Sequence, residues 1–267
     1  GLKKFGLDYE SLQAANPKLV YCSVTGFGQD GPYASRAGYD FLIQGMSGIM
    51  SLTGEPDGPP QKAGVAFADV FSGLYGVIGI QAALTERNTS GLGQHIDISL
   101  LDCMTGVLAN QAMNYLASGN TPKRLGNAHP NIAPYQTFAT SDGDIIVACG
   151  NDRQFSALCG VLGLDHLGTD PKFATNPERV SNRAVLTSLL GTAIQGWTKH
   201  DILQALETAV VPAGPINTVA EALNDPQIVH RGLQITPEGV PGLRTPLSFS
   251  RSKLSLTRAA PKRPRRL

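Results

Sequence analysis

Leu19-Val20-Tyr21-Cys22-Ser23-Val24 is an unbroken β-prone run of strand length, and Thr25-Gly26-Phe27-Gly28-Gln29-Asp30-Gly31-Pro32 follows it directly. Continuous apolar character, rather than strict alternation, is the mark of a strand covered on both faces. Further on, Val70 to Arg87 reads as a long helix, Asn88 to Gly93 as a turn, and Gln94-His95-Ile96-Asp97-Ile98-Ser99 as a half-buried strand. With 30 Gly and 18 Pro in no collagen-like period, the chain reads as a globular α/β or α+β protein.

Around this unit, Leu7 to Ala15 reads as a short polar helix stopped before Asn16-Pro17. Asp40 to Met50 reads as a helix despite Gly45 and Gly48, Thr53 to Pro60 as a loop, and Leu100 to Ser118 as helical. Three glycines on the long helix, Gly73, Gly76 and Gly79, recur every third residue and predict a smooth stripe for close backbone approach. Composition changes at Gly119-Asn120-Thr121-Pro122, and the loop runs to Pro134. The expected organisation is a large domain over 1–118, a linker over 119–134, a small α+β domain over 135–217 and a returning linker with C-terminal segment over 218–267. The small domain opens with a hairpin, Tyr135 to Thr140 and Ile145 to Cys149, turning at Ser141-Asp142-Gly143-Asp144. Helices over Arg153–Gly160, Arg179–Gln195 and Lys199–Thr208 follow.

Of the 267 residues, 42% are hydrophobic and only 16% charged, the opposite of a disordered chain. The net charge of +1 provides no field that would select nucleic acid or an anionic membrane. Only Lys262-Arg263-Pro264-Arg265-Arg266 is densely basic, and it reads as a solvated end. Cys22, Cys103, Cys149 and Cys159 form no C-x-x-C or zinc pattern, and three sit among apolar neighbours, as thiols of a reducing compartment do. No run looks long enough to cross a bilayer. The expectation is a soluble cytoplasmic protein without a metal.

Gly26-Phe27-Gly28-Gln29-Asp30-Gly31 matches G-x-G-x-x-G after a strand, yet Pro32, Ser35 and Gly38 follow where a dinucleotide site needs a helix. We read it as a decoy. Asp69 precedes the long helix and reads first as its N-cap; the functional alternative is a carboxylate nucleophile beside glycine-rich loops, where the helix dipole favours negative charge. Gly150-Asn151-Asp152-Arg153-Gln154 leaves a strand and opens a helix, so it either offers backbone N–H groups to an anion or is an ordinary turn. His95 and His129 are candidate acid/base groups, but lone histidines are more often satisfied structural residues. No G-x-S-x-G, H-E-x-x-H or Walker loop occurs.

Taken together, the segments resemble the class III CoA-transferases, the CaiB/BaiF family. The likeness runs through Lys4-Phe5-Gly6-Leu7-Asp8-Tyr9-Glu10, Tyr21 to Pro32, Gly38-Tyr39-Asp40, Ala68-Asp69-Val70-Phe71-Ser72-Gly73, Ala82 to Arg87 and Gly91-Leu92-Gly93-Gln94. It continues through Pro134 to Phe138, Gly150 to Phe155 and Val211-Pro212-Ala213-Gly214-Pro215-Ile216-Asn217. The resemblance implies a Rossmann-like large domain, incomplete here, and a small α+β domain joined by two linkers, as in interlocked homodimers. It also implies that the chain, which starts at Gly1, is part of a longer one whose opening strands are elsewhere. Val20, Val24 and the face of the Val70 helix would then be exposed.

By the same resemblance Asp69 is the catalytic aspartate, attacking an acyl-CoA thioester to give a mixed anhydride and then an aspartyl-CoA thioester. Coenzyme A is then a co-substrate, with no metal or redox cofactor. Tyr39, Gly150, Asn151 and Gln154 would line the substrate or oxyanion site. Asn131-Ile132-Ala133-Pro134-Tyr135 together with Gly150-Asn151-Asp152-Arg153-Gln154-Phe155 resembles the branch that uses succinyl-CoA and small dicarboxylates such as glutarate. An α-methylacyl-CoA racemase-like isomerase, or a non-catalytic piece contributing only to a dimer, are the alternatives. Racemases of this fold carry a histidine in the triplet that is Gly38-Tyr39-Asp40 here, and a tyrosine is a poor base near neutrality.

Overall fold

The computed structural model describes residues 2–261. The basic tail from Lys262 lies outside the described residues. The chain divides into two compact units, Gly1–Pro130 and Asn131–Leu267. Both mix helices with small sheets, so the class is α/β.

In the first unit, helix α1 (Tyr9–Ala15) is capped by Asp8, whose side chain accepts from the Ser11 N–H. Strand β1 (Tyr21–Thr25) pairs in parallel with β2 (His95–Ser99), Tyr21 opposite His95 and Thr25 opposite Ser99. Parallel strands need a crossover, and it contains α2 (Asp40–Met46), α3 (Ile49–Leu52) and the 24-residue α4 (Phe67–Ser90). The helix expected over Asp40–Met50 therefore breaks, at Gly48, whose φ of 94° lies where an L residue is strained. The expected helix over Leu100–Ser118 also divides, into α5 (Leu100–Gly106) and α6 (Ala109–Ser118). Arg124 pins the loop before α4 by donating to the carbonyls of Ser51, Glu55 and Gly58.

α4 begins three residues earlier than the periodicity suggested and ends three later. By length and composition it is apolar enough to cross a bilayer, which corrects the expectation that no such run exists. Glycines and alanines had hidden it, keeping the span uncharged without marking it as strongly apolar. Here it packs on β1, β2, α2 and α5, burying Ala68, Ser72, Gly76 and Ala83. Of its glycine stripe, a Cβ on Gly79 would meet the Ile96 side chain at 3.1 Å and one on Gly76 would meet Cys22 Sγ at 4.0 Å, while Gly73 faces open space. The stripe thus receives side chains of the two strands, not another backbone. The opposite face is bare: Val77 and Ile78 are about 60% exposed, and Val24 on β1 is exposed too. Val20 is half-buried. The unit's own core is small, built on Ile43, Ala68, Leu100 and Met104.

The second unit has a fuller core. β3 (Tyr135–Thr140), β4 (Gly143–Ala148) and β5 (Ala213–Pro215) form an antiparallel sheet in that order. Around it lie α7 (Asp152–Val161), α8 (Asp165–Thr169), α9 (Asn176–Ser181), α10 (Arg183–Ile194) and α11 (Lys199–Thr208). Ile145, Val147, Phe155, Leu158, Phe173, Leu190 and Ile202 are among its buried residues. α8 and β5 were not foreseen, and the helix expected over Arg179–Gln195 is interrupted at Asn182. α12 (Val219–Asn224), α13 (Pro226–His230) and the short pair β6 (Gln234–Ile235) and β7 (Gly242–Leu243) follow.

All four cysteines are free. Burial pushes the Cys149 thiol up to about 12 and the Cys159 thiol to about 11.

Candidate active site

α4 has no cap in its own sequence. Its N-cap position is Ala66, and Asp69 is the third residue inside the helix, making no capping bond. This corrects the N-cap reading of Asp69. The missing acceptor comes from α2, where Asp40 Oδ1 accepts the Ala68 N–H at 2.8 Å. The Phe67 N–H is taken by the Val65 carbonyl at 2.9 Å. Asp69 itself is exposed, and among the described residues its carboxylate has no hydrogen-bond or ion-pair partner. An unpartnered carboxylate in the positive first turn of a helix is accessible to an electrophile and is not engaged in holding the fold together.

Tyr39 is the N-cap residue of α2, in extended backbone, and is 78% exposed. Its neighbour Asp40 thus joins the Gly38-Tyr39-Asp40 triplet to the base of α4. The sequence reading gives Asp40 no role of its own and does not single out Gln44. Their spacing of one helical turn was legible, but their targets lie far along the chain.

The other expected site residues lie in the second unit. Asn151 caps α7, its Oδ1 accepting the Gln154 N–H at 3.0 Å. Gln154 Oε1 in turn accepts the Gly150 N–H at 2.8 Å. Gly150, Asn151 and Gln154 are therefore brought together, the Gln154 side chain reaching back to the residue before the cap. The Gly150 donor expected for an oxyanion is engaged. The first-turn amides left without a partner among the described residues are those of Asp152 and Arg153.

The G-x-G-x-x-G decoy has its own structural explanation. A Cβ on Gly26 would lie 2.6 Å from the Cα of Gly38, so the two glycines pack backbone on backbone. The Gln29 N–H donates to Asp97 Oδ2 at 2.7 Å. His95 is held by Ser23 Oγ at 2.9 Å and stacks on Tyr9. Both lie beside a cleft of about 780 Å³ lined also by Tyr21, Thr25 and Gln29, of which Asp69 is not a wall. Among the described residues no group of three His, Cys, Asp or Glu is placed to hold a metal.

The chain belongs to CoA-transferase family III, whose profile matches residues 1–264. It is 55% identical to the succinate–glutarate CoA-transferase of Agrobacterium fabrum over 98% of this chain and 67% of that one. It is 40% identical to the acetyl-CoA:oxalate CoA-transferase of Acetobacter aceti over 93% of this chain and 64% of that one. A CaiB/BaiF family protein from Brucella suis is 64% identical and superposes with a TM-score of 0.85, covering 98% of this chain and 69% of that one. The chain thus spans about two-thirds of the length of these relatives.

Proposed function

We propose that this chain provides the nucleophile of an acyl-CoA:carboxylate CoA-transferase, and that the nucleophile is Asp69. The observation that carries the reading is the exposed, unpartnered Asp69 carboxylate on the first turn of α4, in a member of this family. A carboxylate oxygen of Asp69 attacks the donor thioester carbonyl. The C–S bond breaks, CoA leaves as thiolate, and an acyl-aspartyl anhydride remains. The thiolate then attacks the aspartyl carbonyl, expelling the donor acid as carboxylate and forming aspartyl-CoA. The acceptor carboxylate attacks that thioester and releases the thiolate. The thiolate finally takes the acceptor acyl group, returning Asp69 as carboxylate. Covalent catalysis divides one difficult exchange into easier steps, and no proton is gained or lost overall.

The names of the Agrobacterium and Acetobacter relatives, succinate–glutarate and acetyl-CoA:oxalate, both support a small dicarboxylate acceptor, and the first supports a succinyl-type donor. Tyr39 would orient a carboxylate or line the acyl pocket; in the second unit, the α7 turn at Gly150, Asn151 and Gln154 would offer its open first-turn amides to an anion. Family membership suggests the interlocked homodimer as the working form, and the free thiols support a cytoplasmic setting.

Asp69→Ala should abolish succinyl-CoA:glutarate transfer, and hydroxylamine in the presence of acyl-CoA should convert Asp69 alone to a hydroxamate. Wild-type rates in the alanine variant, or trapping at another residue, would overturn the assignment. Rapid Asp69-dependent α-deuteration of a 2-methylacyl-CoA without CoA transfer would make the protein an isomerase instead.

A further inference from the structure

Two side chains of α2 hold the backbone that delivers Asp69. Asp40 and Gln44 stand one turn apart, Gln44 wholly buried and Asp40 half-buried. Gln44 Oε1 accepts the Ala63 N–H at 2.9 Å, and its Nε2 donates to the Val65 carbonyl at 3.3 Å and to Asp40 Oδ2 at 2.8 Å. Asp40 Oδ1 accepts the Ala68 N–H at 2.8 Å. Three backbone groups of the stretch leading into α4 are thereby tied to one face of α2.

The polarity of this network is dictated from outside it. A backbone N–H only donates and a backbone carbonyl only accepts. Gln44 must therefore turn its oxygen to Ala63 and its nitrogen to Val65. Residue 40 is left facing two donors, the Gln44 amide nitrogen and the Ala68 N–H. Only a side chain with acceptors at both ends satisfies them, and a carboxylate does so where an amide cannot. Asp40 is itself seated from behind, because Gly38 lies backbone on backbone against Gly26, whose carbonyl accepts the Leu101 N–H at 3.1 Å.

We propose that Asp40, oriented by Gln44, is a positioning residue for Asp69. It supplies the cap that α4 lacks, fixes its first turn, and leaves the Asp69 carboxylate free of any capping duty. The inference rests on the reading of Asp69 as nucleophile.

Its test compares wild type with Asp40→Asn, Gln44→Glu and the double variant. Two quantities are read: hydrogen–deuterium exchange across residues 63–70, and succinyl-CoA:glutarate transfer with kcat and KM resolved. Asp40→Asn should speed exchange in that segment and lower kcat by about 10- to 100-fold, with KM for the acyl-CoA within about threefold, since misplacement of a reacting group acts on the chemical step. Gln44→Glu sets two carboxylates face to face and should act alike. In the double variant the carboxylate introduced at position 44 accepts from the Ala63 N–H and from the amide introduced at position 40. The oxygen of that amide accepts from the Ala68 N–H, and only the longer bond to the Val65 carbonyl is given up. Complementarity between the two side chains is restored with its direction reversed, and kcat should recover most of the loss.

A merely structural cap would lower the unfolding midpoint but leave kcat per folded molecule unchanged, and that result would overturn the proposal. Unaltered exchange over 63–70 in Asp40→Asn would do the same whatever the chemistry of Asp69. If wild type neither transfers CoA nor forms the hydroxamate, the nucleophile reading itself fails and leaves nothing to position.

Discussion

Arg179 allows a quantitative test of the second unit. Its side chain is completely buried. Nε donates to the Ala133 carbonyl at 2.7 Å, Nη1 to the Phe173 carbonyl at 2.9 Å, and Nη2 to Asp152 Oδ1 at 2.7 Å. The guanidinium also lies over the Phe155 ring, 4.6 Å from its centroid. Arg179→Met keeps apolar bulk but strips donors from two backbone carbonyls, each worth about 1–3 kcal/mol when left unsatisfied. The lost ring contact adds about 0.5–2 kcal/mol. Against this, the variant no longer desolvates a guanidinium, a relief of several kcal/mol at most. A net loss of about 2–4 kcal/mol follows, a large share of an ordinary domain's stability of about 5–15 kcal/mol.

Trp197 is the only tryptophan and packs against the core of this same unit, so its fluorescence in a urea titration reports the unit selectively. With a slope of about 2 kcal/mol per M, the midpoint should fall by about 1–2 M. Asp152→Asn should cost far less, about 1 kcal/mol or under, because the Asp152 side chain is 58% exposed and its pairing is screened by solvent. An Arg179→Met midpoint within about 0.3 M of wild type at unchanged slope would refute the carbonyl argument. Equal losses in the two variants would show that ion pairing, not carbonyl bonding, carries the effect.

Two further outcomes can be checked in the same preparation. Gly38→Ala places a Cβ 2.5 Å from the Gly26 Cα, a backbone clash that nothing can rotate away from; it should cost about 1–3 kcal/mol and speed exchange over 63–70, seen by thermal denaturation and mass spectrometry. With their thiols pushed up to about 12 and 11 by burial, Cys149 and Cys159 should resist a thiol-specific disulfide reagent at pH 8 until the chain unfolds. Because the folded state holds these protons more tightly than the unfolded one, their contribution to stability is intact below the unfolded value near 9. It should drain away as pH rises toward 11–12, visible as a falling urea midpoint.

Features governed by residues within a turn of one another were legible from the chain alone. The polar helix read over Leu7–Ala15 forms as α1 (Tyr9–Ala15), and β3 and α11 occupy the spans their patterns indicated. Composition left α/β and α+β both open, and the Asp69 motif with its flanking segments indicated the family and, with it, the α/β class. The breaks at Gly48 and after Gly106 were not legible, because helical propensity does not report where two short helices must change direction to pack. Nor was the true start of α4. Its cap is Asp40, 28 residues upstream, and no local pattern names a helix's acceptor when it sits on a different helix. Arg179 reads as one more surface cation until the fold brings the Ala133 carbonyl, 46 residues away, onto its guanidinium. Gly150, conversely, had the sequence of a free donor, and only the side-chain rotamer of Gln154 shows that its N–H is already taken. Periodicity and capping chemistry act over a few residues and so are written locally. The choice of partner for a buried polar group depends on how distant segments meet, and that is settled only when the core closes.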